Sequence, residues 1–241
     1  MNPKHSICTK IIIGSLAIAS AVLAADKSGP EARLGAAADV FKEIQGTPDN
    51  DVPDTLLERA NGIIIVPGLK RAGFVFGAEY GKGVFLARLP NGHWSPPSTI
   101  RVEGGSFGAQ IGAGETDLIM LAMNQDAVRQ LMKVGVKIGG DVMAAAGPIG
   151  RQAGAATTPI PASGLLAYSR ARGVFAGATL NGSTLRSDDD DNAKIYGRKI
   201  DQEEILTGKV KAPASAQPLM RELERYFRRN PSDEPPPKRV K

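Results

Sequence analysis

Glycines at 104, 105, 108, 112 and 114 crowd the segment Gly104–Asp117, with apolar or small residues between them. Glycine at this density lets a backbone bend sharply or lets another group approach closely. A phosphate loop is one candidate, because Gly112-Ala113-Gly114 precedes an acidic residue. The spacing argues against it. Gly-x-Gly-x-x-Gly and Gly-Lys-Ser/Thr are both missing, and the apolar run Leu118–Met123 that follows has strand character rather than that of a phosphate-capping helix. The segment reads as a tightly bent, glycine-kinked strand, and a strand of that kind belongs in a curved sheet. Gly108 and Gly112 are four residues apart, so along a strand they point to one face, where each is expected to hold space open.

The flanking sequence extends the pattern. Ile63-Ile64-Ile65-Val66 is a β-branched run bounded by Gly62 and Pro67, which marks a buried strand. Phe74–Tyr80 and Val84–Leu89 flank Gly81-Lys82-Gly83, read as a hairpin tip. Asn91-Gly92 is a strong two-residue hairpin signal leading to His93–Ser95. Thr99–Ile111 and Asp117–Met123 continue the meander. Farther on, Leu165–Ser169 and Gly173–Leu180 have strand character, and Asn181-Gly182 closes a further hairpin onto Ser183–Arg186. Gly135–Ser163, rich in Gly, Ala and Pro, reads as one strand or short helix followed by a loop.

Helices bracket this β-rich stretch. In Pro30–Gln45, Leu34, Ala37, Ala38, Phe41 and Ile44 recur at helical spacing, and Gly46-Thr47-Pro48 stops the pattern. A short helix begins at Pro53, and Asn124 caps another running to about Val134. Asp201 and Glu204 have capping-box spacing for a short helix stopped by Gly208. After Pro213, Leu219, Met220, Leu223, Tyr226 and Phe227 share one face of the last helix, which reads as a cover for the core.

The ends are set apart. Residues 1–25 combine Lys4 and Lys10, the apolar run Ile11–Leu23 and small residues at Ala24 and Ala25, the pattern of a cleaved signal peptide. Its apolar run is short of the ~20 residues needed to span a bilayer. Its removal takes away Cys8 and His5, leaving a chain of about 216 residues without a thiol and with His93 as its one histidine. Disulfides, thiolate zinc sites, cysteine nucleophiles and multi-histidine metal sites are thereby excluded. The formal charge of +5 falls to about +3 without Lys4 and Lys10, a weak preference for anionic surfaces. Aromatics at 5% are too sparse for a nucleic-acid stacking platform. Residues 230–241, with Pro235-Pro236-Pro237 and Lys238, Arg239 and Lys241, cannot build a core and form an expected disordered basic tail. One domain of residues 26–229 remains.

Within that domain, Gly62-Ile-Ile-Ile-Val-Pro67, Gly73-Phe-Val-Phe-Gly-Ala78, Gly83-Val-Phe-Leu-Ala-Arg88 and Trp94-Ser-Pro-Pro97 precede the glycine series. Ala145-Ala-Gly-Pro-Ile-Gly-Arg151, Leu166-Ala-Tyr-Ser-Arg170, Gly173-Val-Phe-Ala-Gly177 and Tyr196-Gly197 follow it. In this order and at these distances they resemble the SYLF lipid-binding domain family, related to the yeast-type actin-regulating SYLF proteins, over about Leu34 to Tyr226. The leader makes this an exported, bacterial-type member. The resemblance implies a binding domain without catalytic residues or cofactor. Eukaryotic relatives bind phosphoinositide-rich membranes and some bind actin; for an exported chain, other acidic lipids are the expected ligands and actin is not an expected partner.

The expected fold is an α+β single domain, with a mainly antiparallel, curved, glycine-rich β-sheet, barrel-like in form, covered by N- and C-terminal helices. The expected function is non-catalytic binding of anionic lipid or a membrane surface, peripheral to the membrane in the periplasm or cell envelope. The alternative is an envelope structural or protein-interaction module using the tail. The lipid-binding candidates are Lys70, Arg71, Lys82, Arg88, Trp94 and Arg101, an amphipathic ring with cations around it. A plainer reading, favoured on the residues alone, puts Trp94 in the core and leaves the cations as solvated strand ends. His93 with Ser95 or Ser106 is a weak candidate for hydrolysis, since no Gly-x-Ser-x-Gly elbow is present. Asp188–Asp191 lacks the ligand alternation of a calcium loop and reads as a solvated turn. No metal site and no nucleic-acid partner are expected.

Overall fold

The computed structural model describes residues 29–46, 52–73, 76–107, 112–149, 164–171, 174–178 and 182–226. Residues 1–25, read as a leader, the expected tail 230–241, Gly108 and residues 155–163, read as a loop, lie outside the described residues. Helix α1 (Pro30–Gln45) and the short α2 (Asp54–Arg59) lead into strands β1 (Gly62–Gly73), β2 (Phe76–Ala87), β3 (Ser98–Phe107) and β4 (Gly112–Ala122). Helix α3 (Gln125–Leu131), β5 (Val136–Lys137), β6 (Ala144–Ala146), β7 (Leu165–Ala171), β8 (Val174–Gly177) and β9 (Ser183–Ser187) follow. The chain closes with α4 (Asp189–Tyr196), α5 (Gln202–Leu206) and α6 (Gln217–Tyr226).

The strands form one curled, mainly antiparallel half-barrel sheet in the order β5-β9-β3-β2-β1-β4-β7-β6, with β8 continuing beside β7. The α+β fold expected from sequence is the one found. Both sheet faces are covered around the middle strands. Ile63, Ile65, Val84, Leu86, Ile119 and Leu121 pack under α1 and α6 through Leu34, Phe41, Leu219 and Leu223. Ile64, Phe85, Val102, Leu118 and Met120 face the other way, toward Val128 and Leu131 of α3 and Val136 of β5. That is why β1 reads as a continuous apolar run: a strand buried on both faces has no polar side to show.

The connectivity departs from a simple meander. Strands β3 and β4 are consecutive in sequence, yet β2 and β1 lie between them in the sheet. Likewise β8 pairs with β7, whereas β9 pairs with β3 and β5. The expected hairpin of β8 with β9 is therefore not formed; Gly182, at φ 88°, donates its amide to the Ile138 carbonyl as the chain enters β9. Asn91-Gly92 does make the tight turn it signals, with Arg88 bridging Trp94 across it. Asn124 caps α3 by accepting the Ala127 amide at 2.7 Å. Asp201 precedes α5 but makes no side-chain cap, and Glu204 bonds Arg198 instead.

Gly81-Lys82-Gly83 is the largest local correction. It is not a hairpin tip but the middle of β2. Strand β1 is bulged here: four residues, Val66 to Leu69, oppose the three residues Gly81 to Gly83. Gly68 takes φ 60°, Pro67 needs no ladder donor, and the Asp117 carboxylate accepts the Gly68 amide at 3.0 Å. The bulged backbone presses on β2, so Gly81 and Gly83 lie against Val66 and Leu69 with no room for a side chain. Gly112 opposes Gly73 in the β1–β4 ladder; within the glycine series, Gly104 makes a close approach, to Glu79 and the Ser183 backbone.

Candidate functional site

From the middle of β2, Lys82 reaches the start of α4. Its ammonium is 3.0 Å from Asp188 Oδ2 and 3.0 Å from Asp191 Oδ2. Arg33 of α1 reaches Asp191 at 3.0 Å and Lys194 reaches it at 2.9 Å, so one buried carboxylate ties α1, β2 and α4 together. Burial alone would raise the Asp191 pKa, but the bonds from Lys194, Lys82 and Arg33 outweigh it and hold the carboxyl well below the usual range. Burial would lower Lys82, and its bonds to Asp191 and Asp188 carry it upward instead. Beside the cluster, Asn192 accepts the Thr99 amide and hydroxyl at 2.7 and 2.8 Å and donates to Ser98 and Ser187.

The aspartate run is thus not a solvated turn. Asp188 is the helix cap, accepting the Asp191 amide, and Asp188, Asp191, Asn192 and Ile195 follow the spacing of one helix face turned toward the sheet. That i, i+3, i+4 pattern was present in the sequence, hidden by four identical letters.

Trp94 and Arg88 are interior as well. Trp94 is 2% exposed and joins the core under α1 and α6. The Arg88 guanidinium lies 4.6 Å from its ring centre and donates to the carbonyls of Ala60 and Gly92. This pair holds the β2–β3 corner and, as placed, reaches no surface. Arg88→Ala should lower stability by about 2 kcal/mol, through the lost stack and two orphaned carbonyls. A melt followed by Trp94 emission checks this, and an unchanged midpoint would make the stack incidental. His93 is exposed, 3.5 Å from Glu224, while the Ser95 hydroxyl is buried between the Ala87 amide and the Pro96 carbonyl. The two form no nucleophile–base pair.

Lys70, Arg71 and Arg101 remain at the surface. Arg71 opposes Glu79 and pairs with it at 3.0 Å on the face occupied by Leu69 and α3. Lys70 and Arg101 lie on the opposite face, the one on which α1 and α4 pack. Cross-strand partners share a face, and the register makes a row there: Lys137 opposes Thr184, Thr184 opposes Glu103, Glu103 opposes Tyr80, and Tyr80 opposes Lys70. A second row runs from Arg186 through Arg101 to Lys82, where the helices begin. Beyond the helices this face is exposed among the described residues. Tyr80 is 48% exposed, and Lys70, Lys137 and Arg186 are exposed around it. Glu103 is shared by Arg101 at 3.3 Å and Arg186 at 3.8 Å. Among the described residues no carboxylate lies within ion-pair distance of Lys70 or Lys137.

Sequence reading missed Tyr80, Lys137 and Arg186. Only the strand order β5-β9-β3-β2-β1 brings them beside Lys70 and Arg101.

Residues 103–226, which contain the second half of β3, β4, the later strands and the three closing helices, match the family described as Ysc84, Las17-binding protein actin regulator. The chain belongs to this Ysc84, or SYLF, family. It is 40% identical over 179 residues to Protein YSC84 of Saccharomyces cerevisiae, covering 73% of this chain and 38% of that protein. It is 38% identical over 189 residues to the yeast LAS seventeen-binding protein 3, covering 77% and 41% of the two chains. The SH3 domain-containing YSC84-like protein 1 of Xenopus laevis is 34% identical over 197 residues, 79% of this chain and 58% of that protein. The chain therefore spans about two fifths to three fifths of the length of these relatives. They are fungal and animal, so the bacterial-type, exported reading rests on the leader alone. The expectation that actin is no partner gains no support from a family described as an actin regulator.

Proposed function

We propose that the domain is a non-catalytic module that meets anionic lipid at a membrane surface, working from the cell envelope and peripheral to the membrane. The observation that carries this reading is the open face of β5-β9-β3-β2-β1. Lys70, Lys137, Arg101 and Arg186 surround an exposed tyrosine there, with Glu103 already shared by two arginines. Tyr80 has the interfacial character first sought in Trp94: a ring beside cations, open to headgroups. Of the six residues singled out from sequence, Lys70 and Arg101 belong to the proposed surface. Arg71 borders it from the other face, and Lys82, Arg88 and Trp94 hold the scaffold.

Protein interaction is the second reading, favoured by the family description and by the names of the yeast relatives. Co-sedimentation separates the two. The leaderless chain should pellet with vesicles containing phosphatidylglycerol, bind neutral vesicles far less, and lose binding as salt rises. Pelleting with actin filaments but with neither vesicle type would favour the second reading.

A further inference from the structure

The cross-strand row through Tyr80 ends at Lys137 on the edge strand β5, and the turn just before that strand carries an exposed apolar side chain. Val134 is 96% exposed. It follows α3 in a turn set by the Lys133 amide bonding the Gln130 carbonyl and by Gly135 at φ 69°, a left-handed conformation that suits glycine. A Cβ at Gly135 would come within 3.7 Å of the Arg186 guanidinium, so the turn backs onto the proposed surface. On the far side of β5, the Lys137 carbonyl accepts the Asp141 and Val142 amides, which brings Met143, itself half exposed, to the same strand edge.

Cations outnumber carboxylates around this corner, with Arg129, Lys133, Lys137 and Arg186 beside Asp126 and Asp141. The Asp126 carboxylate is taken by Arg129, and the Asp141 carboxylate by the Lys137 amide. Lys133 bonds only the neutral Gln130 side chain, and among the described residues neither Lys133 nor Lys137 has a carboxylate within ion-pair distance. A lone exposed valine is ordinary on a protein surface. A fully exposed one at a turn apex, between lysines without acid partners and joined to a cationic face, fits the boundary of an anionic bilayer, where apolar tips sink below headgroups that cations hold.

We propose that the α3–β5 turn is the apolar anchor of membrane contact, with Val134 entering the headgroup layer and Lys133 and Lys137 meeting phosphates beside it. This inference rests on the lipid reading above. It adds a named depth probe that a purely electrostatic contact would not move.

The chain has one tryptophan, Trp94, which is buried. Introducing Val134→Trp therefore adds a reporter at the turn, and Val174→Trp adds one at a 70% exposed position in β8, beside the opposite edge of the sheet. With vesicles of phosphatidylglycerol carrying brominated acyl chains, emission from the Val134→Trp chain should shift to the blue and be quenched, while the Val174→Trp chain should show neither change. Val134→Asp should weaken vesicle binding about tenfold, through one lost apolar contact and one added like charge at the bilayer. Vesicle binding without quenching at position 134, or quenching at 174 instead, overturns the anchor and leaves the lipid reading intact. Failure of the unsubstituted chain to bind vesicles overturns both. Self-association abolished by Val134→Asp, with vesicle binding unchanged, assigns the turn to a second copy and also overturns the anchor.

Discussion

Asp191→Ala should lower the free energy of unfolding by about 3–5 kcal/mol, the largest single-residue effect expected in this fold. The aspartate is 2% exposed, and its removal leaves Arg33 and Lys82 facing each other across the space it filled. Most of the loss comes from leaving the buried Arg33 guanidinium without this carboxylate rather than from the net worth of the pair, since a buried ion pair carries its own desolvation cost, while Lys82 keeps Asp188 at 3.0 Å. A double-mutant cycle separates the two: Asp191→Ala with Arg33→Met should recover part of the loss, because the buried charge goes with its partner and Lys82 keeps Asp188. The effect also has a pH signature. Asp191 is depressed in the folded chain, so its contribution is fully present above the ordinary carboxylate range and is lost as pH falls through the lower, folded value. The stability gap between the native chain and Asp191→Ala should be constant at neutral pH and narrow below about pH 4. A gap that stays flat into acid would show that Asp191 carries no such linkage.

Gly83→Ala should cost about 3 kcal/mol, an unusual penalty for one methyl group. Its Cβ would press on the Ile65 carbonyl oxygen and come within 2.8 Å of Val66 Cγ2 and 3.0 Å of Val66 Cα. Backbone atoms of the bulged strand cannot turn aside as a side-chain end can. Gly114, whose Cβ would meet nothing, is the natural control: Gly114→Ala should be near neutral. Chemical denaturation of the two variants checks the contrast, and equal midpoints would mean that the bulge relaxes freely.

These two positions mark where sequence reasoning stopped. It could place α1 from Pro30 to Gln45 because an apolar stripe, a first-turn proline and a following glycine all act locally. It could place the Asn124 cap and the first part of β1, Ile63 to Val66, for the same reason, but it stopped that strand at Pro67, whereas β1 continues through the bulge to Gly73. Which strands pair is a different kind of information. Glycine-rich hairpin signals are alike whether the next strand lies beside its predecessor or across the sheet, so the separation of β3 from β4 and of β8 from β9 was not legible. The bulge that makes β2 continuous is also non-local, because it is written in Pro67 and Gly68 of the neighbouring strand. Lys82 was therefore read as a hairpin-tip cation when it is a half-buried tie to α4. The outer face had the same difficulty: Lys70 and Arg101 stood out singly, while Tyr80, Lys137 and Arg186 join them only through the strand order.

The basic tail offers the same kind of attraction as the open sheet face, so comparing the two tests the account most directly. Each cation near an anionic surface is worth about 1 kcal/mol at moderate salt, so a Lys70/Arg101/Lys137 triple-alanine variant should bind about two orders of magnitude more weakly. The measurement is titration with phosphatidylglycerol vesicles of the triple variant and of a chain truncated after Asn230, each against the unsubstituted domain. The account predicts severe loss for the triple variant and near-native binding for the truncated chain. Native binding by the triple variant, with loss on truncation, would contradict it and leave the folded domain without a lipid surface.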